Sequence, residues 1–302
     1  MIFIIIIFYY ISKCSLYWLS LILCRFLPYI YFYLLFTINK AFLIFLIFYL
    51  SFKYFYNKIN TSFLSETNNF SYYLLLDSTK YIDIHFFNQL EVNYSETYIF
   101  LLSPHAIYNQ AFIYLFGNLK KRLRKPIIPL VHPLFNLIPF FSEYFGCFNF
   151  KDCSLNNINY FLDQKHSIVL TPGGVKEMFL TTPNCESIYI QQRQTIFDLS
   201  IKKKIKIVPI LAIGESDWYT PPKIFHDIPF KYLKLFSYLF SLGQTWKPWL
   251  PKKNRLDILF GKPIEFPSDL NEGISNSELL KKAYITQLSD LHQQWNQRYQ
   301  QN

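Results

Sequence analysis

The residue best placed to move a proton is His105, in the stretch Leu101-Leu102-Ser103-Pro104-His105-Ala106. A run of strand-favouring residues, 98–102, stops at the Ser-Pro pair, and Ile107, Tyr108, Ala111, Phe112 and Leu115 then follow at helical spacing. A histidine between the two lies at the carboxyl edge of a strand, where ligands and reacting groups gather in an open α/β sheet. Imidazole titrates near neutral pH and can take a proton from a hydroxyl, which makes His105 a candidate general base. The alternative for a single histidine is a ring bonded to a local carbonyl at a turn.

Two further clusters follow strand-like runs. After 167–170 comes Thr171-Pro172-Gly173-Gly174-Val175-Lys176-Glu177. Gly173 and Gly174 allow a sharp turn and a close backbone approach, and their N–H groups can face a developing negative charge. Glu177, three residues on, is a carboxylate able to orient an acceptor hydroxyl or a catalytic histidine. Just after Ile213, at the end of another such run, comes Gly214-Glu215-Ser216-Asp217, again polar at a strand's end, and Arg193 stands between the two clusters. For each of these, ordinary turn or surface chemistry is the competing reading.

The elements that must position these groups are legible from periodicity. Strand-like runs recur at 98–102, 127–131, 167–170, 205–212 and 257–260, with helix-compatible segments such as 154–164 between them. That alternation predicts an α/β sheet with helices packed on it. Near the end, Ser275 and Glu278 form a capping-box pattern, and Leu280, Tyr284, Leu288, Leu291 and Trp295 trace one apolar face of a packing helix. Residues 231–249 are apolar around almost the whole helical circumference and carry Trp246 and Trp249, which suits either core or a bilayer interface.

Residues 2–55 are almost wholly apolar, interrupted by Lys13, Arg25, Pro28 and Asn39-Lys40, and they lack the charge order and cleavage site of a signal peptide. They predict a retained anchor over residues 1–60, a helical hairpin of 15–38 and 41–56 turning at Asn39-Lys40, with a re-entrant hairpin as the alternative. The Ser, Thr and Asn of 61–71 read as a linker, and 72–302 as the catalytic domain. The net charge of +10 comes from 30 basic and 20 acidic residues. Five of the basic residues lie in 1–60, which holds no acid. This distribution points to a membrane surface, with Lys53 and Lys58 favouring a cytosolic face. No nucleic-acid motif accompanies the basic run at 120–125. Five cysteines without Cys-x-x-Cys spacing indicate neither a disulfide framework nor a zinc site.

Taken in order, these pieces resemble one family. A hydrophobic hairpin, a strand into x-Pro-His-x, Pro-Gly-Gly-x-x-Glu, a later Arg, Val208-Pro209-Ile210 leading to Gly214-Glu215, and Gly261-Lys262-Pro263-Ile264 look like the type-2 diacylglycerol acyltransferases. That family includes monoacylglycerol and wax-alcohol acyltransferases. The resemblance implies a mixed sheet flanked by helices, and acyl transfer from acyl-CoA to a lipid hydroxyl, most readily diacylglycerol. It implies His105 as base and Glu177 as its helper. Gly173, Gly174 and Glu215 would serve the oxyanion or the substrate, and Arg193 or the 120–125 run would meet coenzyme A phosphates. The implied partners are acyl-CoA, the lipid acceptor and membrane lipid, with a homo-oligomer left open, no nucleic acid, and neither metal nor cofactor. The implied location is the endoplasmic reticulum membrane with the catalytic domain facing the cytosol. The family block His-Pro-His-Gly stands here as Ser103-Pro104-His105-Ala106, and the orienting Asp that the wider superfamily often has five residues after the histidine is Gln110. Two alternatives stay open: a lysophospholipid or glycerol-phosphate acyltransferase, and a non-catalytic membrane scaffold that has kept the fold.

Overall fold

In a computed structural model of the protein, the described residues are 83–123, 125–133, 150–181, 187–190, 194–220, 241, 252, 255–266 and 275–299. The chain divides into two compact units. One comprises Met1–Tyr81, Pro133–Phe150 and Pro221–Pro251, of which only Pro133, Phe150 and Ser241 are described. The predicted hairpin and the linker lie outside the described residues, and so does the apolar segment 231–249 apart from Ser241. Among the described residues no helix is long and apolar enough to cross a membrane. The other unit comprises Ile82–His132, Lys151–Thr220 and Lys252–Asn302, and holds the fold described here.

Among the described residues seven strands form one sheet: β1 Ile84–Phe86, β2 Ile99–Ser103, β3 Ile127–Val131, β4 Lys151–Asp152, β5 Ser167–Leu170, β6 Ile207–Ile213 and β7 Leu256–Phe260. Their spatial order is β1-β7-β6-β2-β5-β3-β4. Every neighbouring pair is parallel except β6 with β7, so the sheet is mixed, as the resemblance implies. Strands β2, β5, β6 and β7 are buried along their whole length. This explains why they read as continuous apolar runs rather than as an alternation: helices cover both faces of a mostly parallel sheet.

The described α-helices are α1 Gln110–Arg122, α2 Leu155–Asp163, α3 Gly174–Leu180, α4 Gln194–Lys203 and α5 Asn276–Tyr299. Side chains alternate across a strand, so Ile99 and Leu101 face one side of β2. There they join Ile128, Ile168, Leu211, Phe197 of α4, and Leu280, Tyr284 and Leu288 of α5 in one core. The five positions expected to form the apolar face of α5 do so, four of them buried and Trp295 partly buried. Its start is capped as the sequence predicts, with the Glu278 N–H donating to Ser275 Oγ at 3.2 Å. Near its end, Trp295 Nε1–H donates to Asp257 Oδ2 at 2.7 Å, and Arg255 holds the other carboxylate oxygen at 2.7 Å, which ties the helix to β7.

The edge strands β1 and β4 are not among the predicted runs. They are three and two residues long and only half-buried or exposed, so they carry neither length nor apolar pattern. The helix after His105 begins at Gln110, which leaves Ile107 and Tyr108 in the preceding turn.

Candidate active site

In the centre of the sheet β2 lies between β6 and β5, parallel to both. Parallel neighbours end at the same edge, so three loops meet there: Pro104 to Asn109 after β2, the Pro-Gly-Gly block after β5, and Gly214-Glu215 after β6. The topology therefore brings His105, Glu177 and Glu215 together from segments 38 to 110 residues apart in sequence.

The half-buried ring of His105 places Nδ1 2.6 Å from the carbonyl oxygen of Ala106. A carbonyl only accepts, so Nδ1 carries the proton and Nε2 carries the lone pair. The contact to a local carbonyl is thus present, and it is the contact that selects the tautomer a base requires. Burial pushes the ring's pKa down to about 4, partly offset by the Ala106 carbonyl. The imidazole is neutral at working pH and able to accept a proton at Nε2.

Glu177, on α3, is fully buried. Its Oε2 accepts the backbone N–H of His105 at 2.8 Å and its Oε1 that of Tyr189 at 2.9 Å. It thus holds the histidine by its main chain and not by its ring. Thr181 Oγ1 lies 3.0 Å from the carbonyl oxygen of Glu177 and 3.4 Å from that of His105, so its one proton is shared between the two and the histidine's carbonyl is held more weakly than its N–H. Gly173 packs directly against Glu177, and a Cβ at this position would collide with the carboxylate, so no larger residue fits there without displacing the group that holds His105. Gly174 opens α3.

Glu215 follows Gly214, whose φ of 102° and close approach to the Arg255 carbonyl exclude a side chain. Its carboxylate accepts the N–H of Gln110, and that of Ala111 at 3.0 Å. These are the first two residues of α1, whose own N-cap, Asn109, makes no capping bond. A carboxylate from a neighbouring strand's end replaces the missing cap and adds a favourable charge at the positive end of the helix. The loop that carries His105 is therefore braced at its start by Glu177 and at its end by Glu215.

Gln110, in the position where an orienting Asp is common, does not reach the histidine's ring. Its Nε2 donates to Tyr219 Oη at 3.3 Å, and the backbone carbonyl of Ala106 does the orienting. Arg193 lies outside the described residues. The basic run begins at Lys120, in the last turn of the 13-residue helix α1 and about 15 Å along its axis from Gln110, so Lys120, Lys121 and Arg122 lie towards the opposite edge of the sheet from His105. Among the described residues no group of three His, Cys, Asp or Glu side chains is arranged to hold a metal ion.

Burial raises both carboxyls from the usual 4.5 to about 7, against the opposing effect of the N–H groups they accept. A raised carboxyl pKa means that the fold binds the proton more tightly than the unfolded chain does. The resulting stabilisation is complete below about 4.5 and is lost as pH rises through 7. Each carboxyl contributes at most roughly 3 kcal/mol. The ionised form is the stronger acceptor for paired N–H groups, so the brace itself tightens over the same range. The thermal midpoint is expected to fall between pH 5 and pH 8, while the rate of the reaction rises. Melting curves and rates measured across that range check the opposed signs.

Comparison with known proteins adds an independent line. A family model described as "Diacylglycerol acyltransferase" matches residues 32–302. The chain is 24% identical to the Mus musculus protein named "Diacylglycerol O-acyltransferase 2-like protein 6", over 67% of this chain and 67% of that one. It is 22% identical to the Homo sapiens "2-acylglycerol O-acyltransferase 1", over 72% of this chain and 71% of the relative. It is also 22% identical to the Umbelopsis ramanniana "Diacylglycerol O-acyltransferase 2A", over 72% and 68%. Among solved structures, the 1-acyl-sn-glycerophosphate acyltransferase PlsC from Thermotoga maritima aligns at a TM-score of 0.45 with 12% identity, over 90% of this chain and 97% of that one.

Proposed function

The chain belongs to the diacylglycerol acyltransferase family, and from that premise we propose that the loop after β2 is where it transfers a fatty acyl group from acyl-CoA to a lipid hydroxyl, with diacylglycerol as the acceptor. The family supplies the reaction class, acyl-CoA-dependent O-acylation of a lipid. The observation that carries the assignment of the site is the tautomer of His105: Nδ1–H is committed to the Ala106 carbonyl, which leaves Nε2 as the proton acceptor.

The step then follows. Nε2 takes the proton of the acceptor hydroxyl as the oxygen attacks the thioester carbonyl. The tetrahedral oxyanion collapses by breaking the carbon–sulfur bond, and the coenzyme A thiolate takes the proton back from the imidazolium. The products are an ester and free coenzyme A, with no oxidation or reduction and no covalent acyl-enzyme, so no cofactor is called for. The N–H groups at Gly173 and Gly174, beside Glu177, are our candidates for the oxyanion. Glu177 and Glu215 act by fixing the loop. Arg193, three residues beyond Ile190, is the candidate for coenzyme A phosphate, since a guanidinium matches a phosphate bidentately.

The acceptor and the ester product both dissolve in a bilayer, which supports a chain anchored by residues 1–60 in the endoplasmic reticulum membrane with the catalytic unit on the cytosolic side. Relatives are named for 2-acylglycerol, wax alcohol and diacylglycerol acceptors, all neutral lipid hydroxyls. The acceptor is tested by competition in membranes that carry the full chain. Diacylglycerol, monoacylglycerol, a fatty alcohol and lysophosphatidate are offered together with labelled oleoyl-CoA. Triacylglycerol is expected to take most of the label, and label confined to phosphatidate would overturn the reading.

A further inference from the structure

Beneath the histidine loop a polar pair is buried in the apolar layer. Ser103, the last residue of β2, and Tyr284, from the middle of α5, are both fully buried. Their hydroxyl oxygens lie 3.3 Å apart, and Tyr284 Oη also reaches the Leu101 carbonyl at 3.5 Å. With the tyrosine donating to that carbonyl, the Ser103 hydroxyl is left to donate to the tyrosine oxygen. The surroundings are Ile99, Leu101, Leu211, Leu280 and Leu288, with the Phe197 ring edge-on to Tyr284 at 5.8 Å. Two hydroxyls are costly to bury in such a layer unless each satisfies the other.

Only Pro104 separates Ser103 from His105, and its ring fixes one of the few backbone torsions between them, so a shift of Ser103 is carried towards the histidine. Glu177 and Glu215 hold the loop beyond this point through the backbone N–H groups of His105, Gln110 and Ala111, whereas the strand end from which the loop rises has a side-chain contact of its own. That contact comes from α5. We infer that Tyr284 is a positioning residue for acyl transfer: its hydroxyl, acting through Ser103, sets the orientation in which β2 delivers His105 to the substrate. The inference rests on the reading of His105 as the base. The phenol takes no proton itself, because burial pushes its pKa above the usual range and keeps it a neutral donor.

The test is a cycle in the full-length, membrane-bound chain: Tyr284→Phe, Ser103→Ala and the double variant, each normalised to folded protein. Tyr284→Phe keeps the ring packed on Phe197 and removes only the oxygen. Turnover is expected to fall by roughly five- to twentyfold, on the scale that a sub-ångström misplacement of a catalytic group costs. KM for acyl-CoA and for the acceptor should stay within about twofold. Because the two hydroxyls act as one unit, Ser103→Ala and the double variant should lose no more than Tyr284→Phe alone. A merely structural tyrosine would instead lower the thermal midpoint, leave turnover per folded molecule unchanged, and combine additively with Ser103→Ala. Either of the last two results overturns the inference. His105→Ala in the same assay keeps the two readings apart: if it remained active, the assignment of the base would fail and not merely the role of Tyr284.

Discussion

Replacing His105 with alanine is expected to lower the turnover of acyl transfer by roughly 10²- to 10⁴-fold, the span over which a positioned general base contributes. KM for acyl-CoA should change little, because the ring acts on the hydroxyl proton and not on the thioester donor. The fold should survive. The ring is only half-buried and its one described hydrogen bond is to the neighbouring Ala106 carbonyl, whereas Glu177 and Thr181 hold the main chain of residue 105, which the substitution leaves intact. Initial rates on membranes matched for protein, beside a melting curve, check both halves. A variant that kept more than about a tenth of wild-type turnover would remove the histidine from the mechanism. His105→Gln sharpens the test: it keeps a polar side chain but no basic nitrogen, since the amide lone pair is delocalised into the carbonyl, and it should be as inactive as alanine.

The second large effect is expected at Glu215, which touches no substrate in this account. Glu215→Ala strips the first two N–H groups of α1 of their buried acceptor and leaves a void beneath the loop. Unsatisfied buried donors cost about 1–3 kcal/mol each. Stability should therefore fall by roughly 2–4 kcal/mol, while turnover drops by more than the unfolded fraction explains, because Gln110 and Ala111 set where the loop ends. Glu215→Gln is nearly isosteric, but its amide offers only one oxygen, so it keeps one of the two bonds and should fall between the alanine variant and wild type. It also removes one of the two titrating carboxyls. The fall of the thermal midpoint between pH 5 and pH 8 should then be about half as deep as in the parent protein. A turnover loss in Glu215→Ala fully accounted for by unfolding would reduce the residue to a plain helix cap.

How much of this could be read from residues alone depends on whether a side chain or a backbone atom does the work. Ser103-Pro104-His105 announces itself, since a strand pattern, a proline and a titratable ring coincide within a few residues. Glu177 and Glu215 stand out as carboxylates just beyond strand ends, but what they grip is the N–H of His105, Tyr189, Gln110 and Ala111, and an N–H looks the same in every residue type. The same holds for the Ala106 carbonyl, which orients the ring where an Asp at position 110 would have been the visible signal. Tyr284 reads as one more apolar position in an amphipathic helix, because nothing local reveals that its hydroxyl meets a serine 181 residues away. The central strands were legible from their apolar runs. The edge strands β1 and β4 were not, being short and partly open to solvent. The basic run at 120–125 shows the converse limit: its composition suits phosphate, yet α1 carries its first three residues, Lys120, Lys121 and Arg122, towards the far edge of the sheet from the histidine.

The role of His105 is read out by following the acyl label itself. Membranes holding the wild-type chain or His105→Ala are given labelled oleoyl-CoA with diacylglycerol, and the lipid product and the released coenzyme A thiol are measured together. Label in triacylglycerol, matched one-for-one by free thiol in the wild type and absent from the variant, is the predicted result. Equal label in both proteins, or thiol released without ester, would contradict the assignment of His105 as the base that directs acyl transfer to a lipid hydroxyl.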